Sequence, residues 1–349
     1  MPHKALSYAR AGWRVARREG PAALAGKISR HVTGWLETAA VRARRTSPRG
    51  GIKVAVYANW DAGEAIRYLT PRGAGVWGPV HFGLGAEVPD PDFVLILNSP
   101  SEPVLQVTLP PERVWFAAGE PPEFEAYHAG QGYGTVVLTC DPSVAGKPAC
   151  GRDVILAPPI LQTWQVRRSI DQLAKLQRLD KTKVLSWVTS NKDGLPGHKL
   201  RMFFLRTLHG RVPFDLFGRG FEAIDDKWDA IAPYRYSIAF ENSRAPHYFS
   251  EKLMDCFVCL TLPLYYGSPE IQKYFPAESF IPIEPSDPRT ADKIRDIIAS
   301  DLWRERQDAL QEARWLVLYK YNMFSQVARL MLDRMRPATP PQTIEIRRV

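Results

Sequence analysis

The sequence contains little cysteine and no long apolar run, and both shortages exclude whole classes of protein. Only four of its 349 residues are cysteines, which are too few for a disulfide framework in a chain of this length. No run of eighteen or more apolar residues occurs, so a membrane-spanning helix is not expected. The first twenty residues also lack the apolar core of a secretory signal, and we therefore expect a cytoplasmic protein.

Acidic residues are scarce in residues 1–50. This segment holds only Glu19 and Glu37 against eleven lysines and arginines, while the whole chain has a net charge of +9. One interpretation is a peripheral helix in which residues 1–45, with aromatic Trp13, contact an anionic membrane at its inner face. The other is a solvated basic extension. Nucleic acid is not an expected partner, because no recognisable nucleic-acid module follows.

The composition that remains is globular, with 45% hydrophobic and 24% charged residues, and the length suggests two domains. Short apolar runs alternate with loops and helices at the rhythm of β-α-β units. Strands are predicted at residues 53–58, 93–97, 114–117, 135–139, 183–188, 213–217, 236–240 and 262–265. Helices are predicted at residues 165–181, 199–208, 250–260, after Ser268, and within 302–335.

These patterns predict two α/β domains with a cleft between them. The boundaries we expect are a basic helical segment at 1–50, a first α/β domain at 51–165, a second at 166–300 and a helical tail at 301–349. Ligands of such sheets bind at the carboxyl ends of the strands. Function must still be argued from the site, because one fold serves many functions.

Two residue clusters have the composition of metal sites. Cys256 and Cys259 form a CxxC motif within the apolar stretch MDCFVCLTL. No second Cys/His pair stands at zinc spacing, so core packing is favoured over a metal or redox role. A second, weaker candidate for a metal site is the DxxD-like cluster of Asp225, Asp226 and Asp229.

The stretch at residues 236–252, YSIAFENSRAPHYFSEK, concentrates polar groups where a predicted strand passes into a helix. A Glu-Asn-Ser triplet follows the strand at its ligand side. Ser250 is a plausible N-cap, and Glu251 and Lys252 lie in the first helical turn. A helix N-terminus attracts phosphate, a lysine adds a full charge, and a carboxylate there suits the two hydroxyls of a ribose. Together these residues predict a nucleotide site, whereas each alone would be an ordinary complement of the helix dipole or a solvated charge.

The longer string YRYSIAFENSRAPHYFSEKLMDCFVCLTLPLYYGSPEIQKYFPAESFI closely resembles the donor-binding block of the α-1,3-fucosyltransferases, glycosyltransferase family 10. The resemblance is unbroken from about residue 234 to 281. It continues upstream at TSN (189–191) and FDLFGRG (214–220), and downstream at VLYKYNMF, but does not cover residues 1–50. It implies a GT-B fold, in which two Rossmann-like domains face each other across a cleft, followed by C-terminal helices. The acceptor domain would come first and the GDP-sugar domain second.

The resemblance also implies a reaction, the inverting transfer of L-fucose from GDP-fucose to a hydroxyl of an acceptor saccharide. Glu251 would hold the ribose hydroxyls, and Arg201, Asn242, Tyr248 and Lys252 would hold the diphosphate. Because two fixed cations and several donors stabilise the charge on the leaving GDP, we expect no metal and no cofactor beyond the donor substrate. A divalent ion at the aspartate cluster would duplicate those cations.

Inversion requires a base that removes the proton of the acceptor hydroxyl, and in the family this base is a glutamate of the first domain. The matching segment here is VWFAAGEPPEFEAYH at 114–128, where Glu120 follows a predicted strand on a proline-stiffened loop. We favour Glu120. Glu123 and Glu125 remain alternatives, because proline replaces the family's serine and acidic residues are added; a purely structural acidic loop is a third interpretation.

The acceptor is expected to be an oligosaccharide or glycolipid, such as a lipid-linked precursor of a bacterial surface polysaccharide or glycan. Aromatic residues in the predicted loops of the first domain would either stack on acceptor sugars or simply pack there: Trp60, Tyr68, Trp77 and Phe82. Two alternatives keep the donor block, namely a glycosyltransferase that uses another GDP-hexose and a non-catalytic protein that binds sugar nucleotides.

Overall fold

The computed structural model describes residues 51–348 except 124–135, 146–152, 159 and 336. The predictions made for residues 1–50 and for Glu125 therefore lie outside the described residues. None of the helices within the described ranges is long and apolar enough to span a membrane.

The strands and helices follow the predicted alternation. The strands are Ile52–Ala58 (β1), Val76–Trp77 (β2), Val80–Leu84 (β3), Phe93–Leu97 (β4), Val104–Leu109 (β5), Val114–Ala117 (β6), Val136–Thr139 (β7), Asp153–Leu156 (β8), Lys183–Val188 (β9), Asp215–Phe217 (β10), Tyr234–Phe240 (β11), Leu262–Tyr266 (β12), Ile281–Pro282 (β13) and Gln342–Arg347 (β14). The α-helices are Ala62–Leu69 (α1), Pro142–Ala145 (α2), Ile170–Lys175 (α3), Pro196–Leu208 (α4), Lys227–Ile231 (α5), Glu251–Val258 (α6), Thr290–Ala299 (α7), Leu302–Glu305 (α8), Gln307–Trp315 (α9) and Met323–Asp333 (α10). A π-helical turn covers Leu316–Lys320, and 3₁₀ turns cover Pro71–Gly73, Gly85–Glu87, Pro111–Arg113, Ile271–Lys273 and Ala277–Ser279.

Two mainly parallel sheets organise the chain. The first has the order β2-β3-β1-β4-β6-β7-β8, and only β2 runs antiparallel to its neighbour. The second has the order β10-β9-β11-β12-β13 and is parallel throughout. Strands β4 and β6 are buried at every position, as expected of parallel strands covered on both faces. The prediction of two Rossmann-like α/β units is confirmed.

The C-terminal helices return to the first sheet. On α10, Phe324 packs against Phe82 of β3 with ring centroids 4.8 Å apart. Just before α10, the side-chain amide of Asn322 donates to the carbonyl of Leu69, 2.8 Å away. One apolar core therefore contains residues of both sheets and of the terminal helices.

The predicted helical tail at 301–349 is wrong at its end, because residues 342–347 form strand β14. It pairs antiparallel with β5, with Ile344 opposite Val107 and Ile346 opposite Leu105. The alternation of isoleucine with polar residues has a period of two, which suits a strand with one buried face. Prolines at 340 and 341 also prevent the preceding helix from continuing.

Two predicted helices are shorter than expected. The helix expected over 165–181 forms only over Ile170–Lys175, where Ser169 and Gln172 make a capping box. The chain before it is not helical, and the side chains of Trp164 and Val166 in that segment are buried in the core. The helix expected after Ser268 is a single 3₁₀ turn.

Most of the cysteine and aromatic side chains considered in the sequence analysis are packed in the core. Cys256 and Cys259 are free and buried, which confirms core packing. Trp77 and Phe82 are also buried, whereas Trp60, which follows β1, is 39% exposed.

Candidate active site

The loops after β9 and β11 lie side by side, because these two strands are neighbours in the second sheet and parallel. The first loop carries Ser190, Asn191 and Lys192, and the second carries the Glu241-Asn242-Ser243 triplet. Helices α4 and α6 begin after these loops. The carboxyl edge of the sheet thus gathers two loops and two helix N-termini, the usual ligand edge of such sheets.

Arg201 on α4 is fixed by several acceptors from both loops. Its Nη1 donates to Oδ1 of Asn242 at 2.6 Å. Its Nη2 donates to the carbonyl and hydroxyl of Ser190 at 3.1 and 3.2 Å and to the carbonyl of Lys192 at 3.1 Å. The residue is 3% exposed, and burial lowers the pKa of its guanidinium. Its Nε has no hydrogen-bond partner among the described residues, so one buried donor of the guanidinium is unsatisfied.

The N-terminus of α4 touches the second loop directly. A Cβ atom on Gly197 would lie 1.7 Å from the carbonyl oxygen of Asn242, so only glycine permits this approach. Burial lowers the pKa of the adjacent His198, and the charges of Arg201, Lys192 and Lys252 lower it further. Those three cations therefore share one region beside a helix N-terminus, which favours an anion such as phosphate.

The N-terminus of α6 is built on a buried carboxylate that follows β11. Glu241 is fully buried and accepts hydrogen bonds from the backbone N–H of Ser250 at 2.7 Å and from its hydroxyl at 2.6 Å. Burial raises the pKa of Glu241. The Lys252 ammonium lies 3.7 Å from Glu241 and donates to the Ser250 hydroxyl at 3.1 Å. Arg201 and Lys252 thus contact successive residues, Asn242 and Glu241.

Glu251 is held between two ammonium groups. Its Oε1 lies 3.3 Å from Nζ of Lys252 and 3.6 Å from Nζ of Lys227 on α5. Burial alone would raise the pKa of Glu251, but Lys252 and Lys227 outweigh it and lower that pKa to about 2. The carboxylate is therefore ionised at any physiological pH and accepts hydrogen bonds only.

Lys227 and Asp255 are site residues that the sequence reasoning missed. Asp255 is buried on α6, one helical turn after Glu251. It accepts from the backbone N–H of Gln165 at 2.6 Å and lies 3.3 Å from Nζ of Lys227, which also donates to Oε1 of Gln165 at 2.8 Å. Burial raises the pKa of Asp255 to about 6, although Lys227 opposes that shift. The i,i+4 spacing of Glu251 and Asp255 is a signal that would have found Asp255.

Tyr248 lies on the chain segment between β11 and α6. The residue is buried, and burial raises its pKa well above the usual range. The carboxylates of Glu241, Glu251 and Glu120 raise that pKa further. The hydrogen bond between Ser243 and Glu123, three residues after Glu120, shows that the loop after β6 reaches the residues that follow β11.

The Glu120 loop is anchored at its start. The N–H of Gly119 donates to Oδ1 of Asn98 at 2.9 Å, and its carbonyl accepts from the side-chain amide of Gln162 at 2.7 Å. Glu120 is half-buried, and Glu123 accepts a hydrogen bond from the Ser243 hydroxyl at 2.7 Å. The two described candidate bases therefore differ in surroundings.

All six site residues predicted from the sequence lie in this region, where Arg201 contacts Asn242 and Lys252 contacts Glu251. The aspartate cluster does not join them. Asp226 caps α5 and pairs with Arg168 at 2.8 Å. Within the described residues, no group of three or more His, Cys, Asp or Glu side chains is arranged to hold a metal.

Comparison with known proteins identifies a family model that matches part of this chain. Residues 178–324 match the model of the glycosyltransferase family 10 (fucosyltransferase) C-terminal domain. The α-(1,3)-fucosyltransferase FucT of Helicobacter pylori is 33% identical over 58 residues, which cover 17% of this chain and 12% of that protein. The human 4-galactosyl-N-acetylglucosaminide 3-α-L-fucosyltransferase 9 is 31% identical over 109 residues, 30% of each chain.

A longer match covers about half of each protein. The bovine 3-galactosyl-N-acetylglucosaminide 4-α-L-fucosyltransferase FUT3 is 23% identical over 211 residues, 57% of this chain and 54% of its own length. Among solved structures, an α1,3-fucosyltransferase with GDP is similar with a TM-score of 0.46 and 18% identity, covering 82% of this chain and 92% of that one. The same comparison with an α1,3-fucosyltransferase carrying GDP-fucose gives a TM-score of 0.39 and 16% identity, with 84% of each chain covered.

Proposed function

Because residues 178–324 match the model of the glycosyltransferase family 10 (fucosyltransferase) C-terminal domain, we propose that this protein transfers L-fucose from GDP-fucose to a hydroxyl of an acceptor saccharide, with inversion at the anomeric carbon. The observation that carries the proposal is that Arg201 of α4 and Lys252 of α6 contact successive residues of one loop, Asn242 and Glu241, with Glu251 beside Lys252. Two cations and a carboxylate at two helix N-termini suit a nucleoside diphosphate.

The donor is proposed to lie across the N-termini of α4 and α6. Arg201, Lys252 and Asn242 would face the diphosphate, together with the hydroxyl of Tyr248. That hydroxyl stays protonated because of its raised pKa, and it can therefore donate a hydrogen bond. Glu251, which is ionised and already oriented by Lys252 and Lys227, would accept from the two ribose hydroxyls.

The reaction is proposed to proceed in one displacement. The acceptor oxygen attacks the anomeric carbon from the face opposite GDP, and Glu120 takes the proton of that hydroxyl. The bond between the anomeric carbon and the β-phosphate oxygen breaks, and its electron pair leaves with GDP. Arg201 and Lys252 stabilise the charge that grows on that leaving group.

Side-chain cations supply positive charge at the proposed diphosphate site, so we propose that turnover needs no metal or other cofactor. Activity measured after dialysis against EDTA should equal activity with added Mg²⁺ or Mn²⁺. A strict requirement for either ion would refute this part of the proposal.

The acceptor is proposed to be an oligosaccharide or glycolipid, such as a lipid-linked precursor of a bacterial surface glycan. The basic segment at 1–50, with eleven cations and two carboxylates, would bring the enzyme to an anionic membrane surface. Partition onto anionic vesicles should fall when residues 1–45 are deleted, and unchanged partition would end the membrane proposal.

The activity is tested by GDP release in the presence of acceptor saccharides. Wild-type protein is incubated with GDP-fucose, other GDP-hexoses and UDP-sugars, and Glu120→Gln is assayed beside Glu64→Gln, an exposed glutamate on α1. We expect turnover with GDP-fucose, its loss in Glu120→Gln and its retention in Glu64→Gln. Preference for another GDP-hexose would change the donor, and no turnover with any donor would favour a non-catalytic sugar-nucleotide-binding protein.

A further inference from the structure

One hydrogen bond joins the loop that carries Glu120 to the loop that carries Asn242. The hydroxyl of Ser243 donates to Oε1 of Glu123 at 2.7 Å, between residues 120 positions apart in the chain. Glu123 follows strand β6 of the first sheet, and Ser243 follows β11 of the second. The contact therefore bridges the two sheets at their ligand edges.

The geometry on the Ser243 side fixes the direction of this bond. Ser243 is buried, and its oxygen also accepts from the backbone N–H of Ala245 at 3.2 Å. With that lone pair occupied, the hydroxyl proton is free to point at Glu123. The residue before it, Asn242, accepts from Arg201, so a ligand bound at Arg201 would act on the residue that directly precedes Ser243.

On the Glu123 side, a short and stiff piece of chain connects Glu123 to Glu120. Pro121 and Pro122 are the only residues between the two glutamates, and proline rings fix φ at both positions. At the other end, Gly119 is held by Asn98 and Gln162. Glu120 thus sits on a short, stiff segment with one anchor on its own sheet and one on the opposite sheet.

We propose that the hydrogen bond between Ser243 and Glu123 couples occupancy of the nucleotide site to the placement of Glu120. Glu123 and Ser243 are then positioning residues, and Glu123 is not the base. This inference rests on the proposed function, since it assigns the nucleotide to the Arg201 side and the base to Glu120. It gives the acidic neighbour of Glu120 a definite task, namely to help position the Glu120 side chain when the donor occupies its site.

Hydrogen exchange of the full-length protein, with and without GDP, tests the coupling. The peptides compared contain residues 119–123 and 250–258, and the variants are Ser243→Ala, Glu123→Ala and Glu123→Gln, which keeps an acceptor oxygen. We expect GDP to slow exchange in both peptides of the wild type and of Glu123→Gln. In the two alanine variants, we expect it to slow exchange only in residues 250–258.

Kinetics on the same variants separate positioning from mere stability. Each alanine variant should lose about tenfold in kcat, the scale of one charge-assisted hydrogen bond, with the donor KM within about twofold of wild type. The double alanine variant should lose no more than either single one, because both remove the same bond. Glu123→Gln should retain most of kcat, while Glu120→Gln should not.

The outcomes that overturn the inference are distinct from those that overturn the function. If GDP protects residues 250–258 but never 119–123, the nucleotide site stands and the coupling is wrong. Loss of activity in Glu123→Gln equal to that in Glu120→Gln would also overturn it, because Glu123 would then act as a base. If GDP protects neither peptide in the wild type, the proposed nucleotide site and the coupling fail together.

Discussion

Groups of opposite charge alternate at the proposed donor site. Lys252 lies between Glu241 and Glu251, and Lys227 lies between Glu251 and Asp255. Three carboxylates and two ammonium groups therefore alternate along the start of α6 before any ligand is added. A nucleotide bound there would meet charged side chains that are already oriented, which would lower the cost of ordering them.

Asp255 gives a pH dependence of stability whose sign follows from its pKa. That pKa is raised by burial from an ordinary 3.8 to about 6, so the folded protein binds the proton more tightly than the unfolded chain. The stabilising effect is complete below about pH 4 and is lost as the pH rises through 6. The asparagine of Asp255→Asn cannot titrate. The melting temperature of the wild type, taken relative to that of Asp255→Asn, should therefore fall between pH 4.5 and pH 7.5.

Thermal unfolding of both proteins at the two pH values measures this difference. The asparagine variant leaves Lys227 without its carboxylate, a constant offset that cancels when the pH values are compared. A melting-temperature difference that does not change with pH would show that Asp255 ionises as an ordinary carboxyl, and a change in the opposite direction would show that folding lowers its pKa.

At the scale of elements, the close approach of α4 to the loop after β11 depends on Gly197. Alanine there would bring its Cβ within 1.7 Å of the Asn242 carbonyl oxygen, and a backbone atom must shift to relieve the overlap. We expect Gly197→Ala to lower stability by about 1–3 kcal/mol and to weaken GDP binding at least about tenfold, since Asn242 and Arg201 move with that loop.

The matched control is Gly194→Ala, three residues earlier, where an added Cβ meets no atom within 4 Å. Calorimetric GDP titration and thermal unfolding of both variants give the comparison. Equal GDP affinity in the two variants would mean that the α4 contact does not shape the site.

Elements with a strong local signal were predicted well from the sequence. The bounds of β4, β6 and β9 agree with the prediction, because each is a short apolar run between turn residues. The helix predicted over 165–181 is shorter than expected because tertiary packing buries Trp164 and Val166 in the core. Strand β14 was missed because its stability comes from pairing with β5, more than two hundred residues earlier.

The same division applies to the candidate site. The residues on contiguous motif segments, such as Glu251 and Lys252, were found from one stretch of sequence. Lys227, Asp255 and the bond between Ser243 and Glu123 depend on contacts between residues 24 to 120 positions apart. No local pattern encodes such contacts, although the spacing of Asp255 from Glu251 offered a partial signal.

At the scale of the whole molecule, β14 and β5 form a separate two-stranded sheet that packs against the first sheet. Ile346 is fully buried there against the core that includes Val107 and Phe116. Ile346→Ala should lower the free energy of unfolding by about 3 kcal/mol through lost burial and a residual cavity, without changing GDP affinity. Glu345→Ala, at an exposed neighbouring position, is the control.

Chemical denaturation of the two variants measures this prediction. A loss below about 1 kcal/mol in Ile346→Ala would indicate that β14 contributes little to the fold. A parallel loss of GDP affinity would instead indicate that the strand supports the second sheet as well as the first.

The two sheets are joined by shared core residues and by the contact at their ligand edges, so a ligand at the second sheet is well placed to affect the first. The central claim is that Arg201 and Lys252 bind one nucleoside diphosphate together. Calorimetric titration of GDP into the wild type, Arg201→Lys, Lys252→Met and the exposed control Lys199→Met tests it most directly. We predict that one GDP binds per chain, that both site variants lose about tenfold or more in GDP affinity, and that Lys199→Met keeps the wild-type affinity. Equal GDP affinity in all four proteins, or no binding by the wild type, would contradict this prediction.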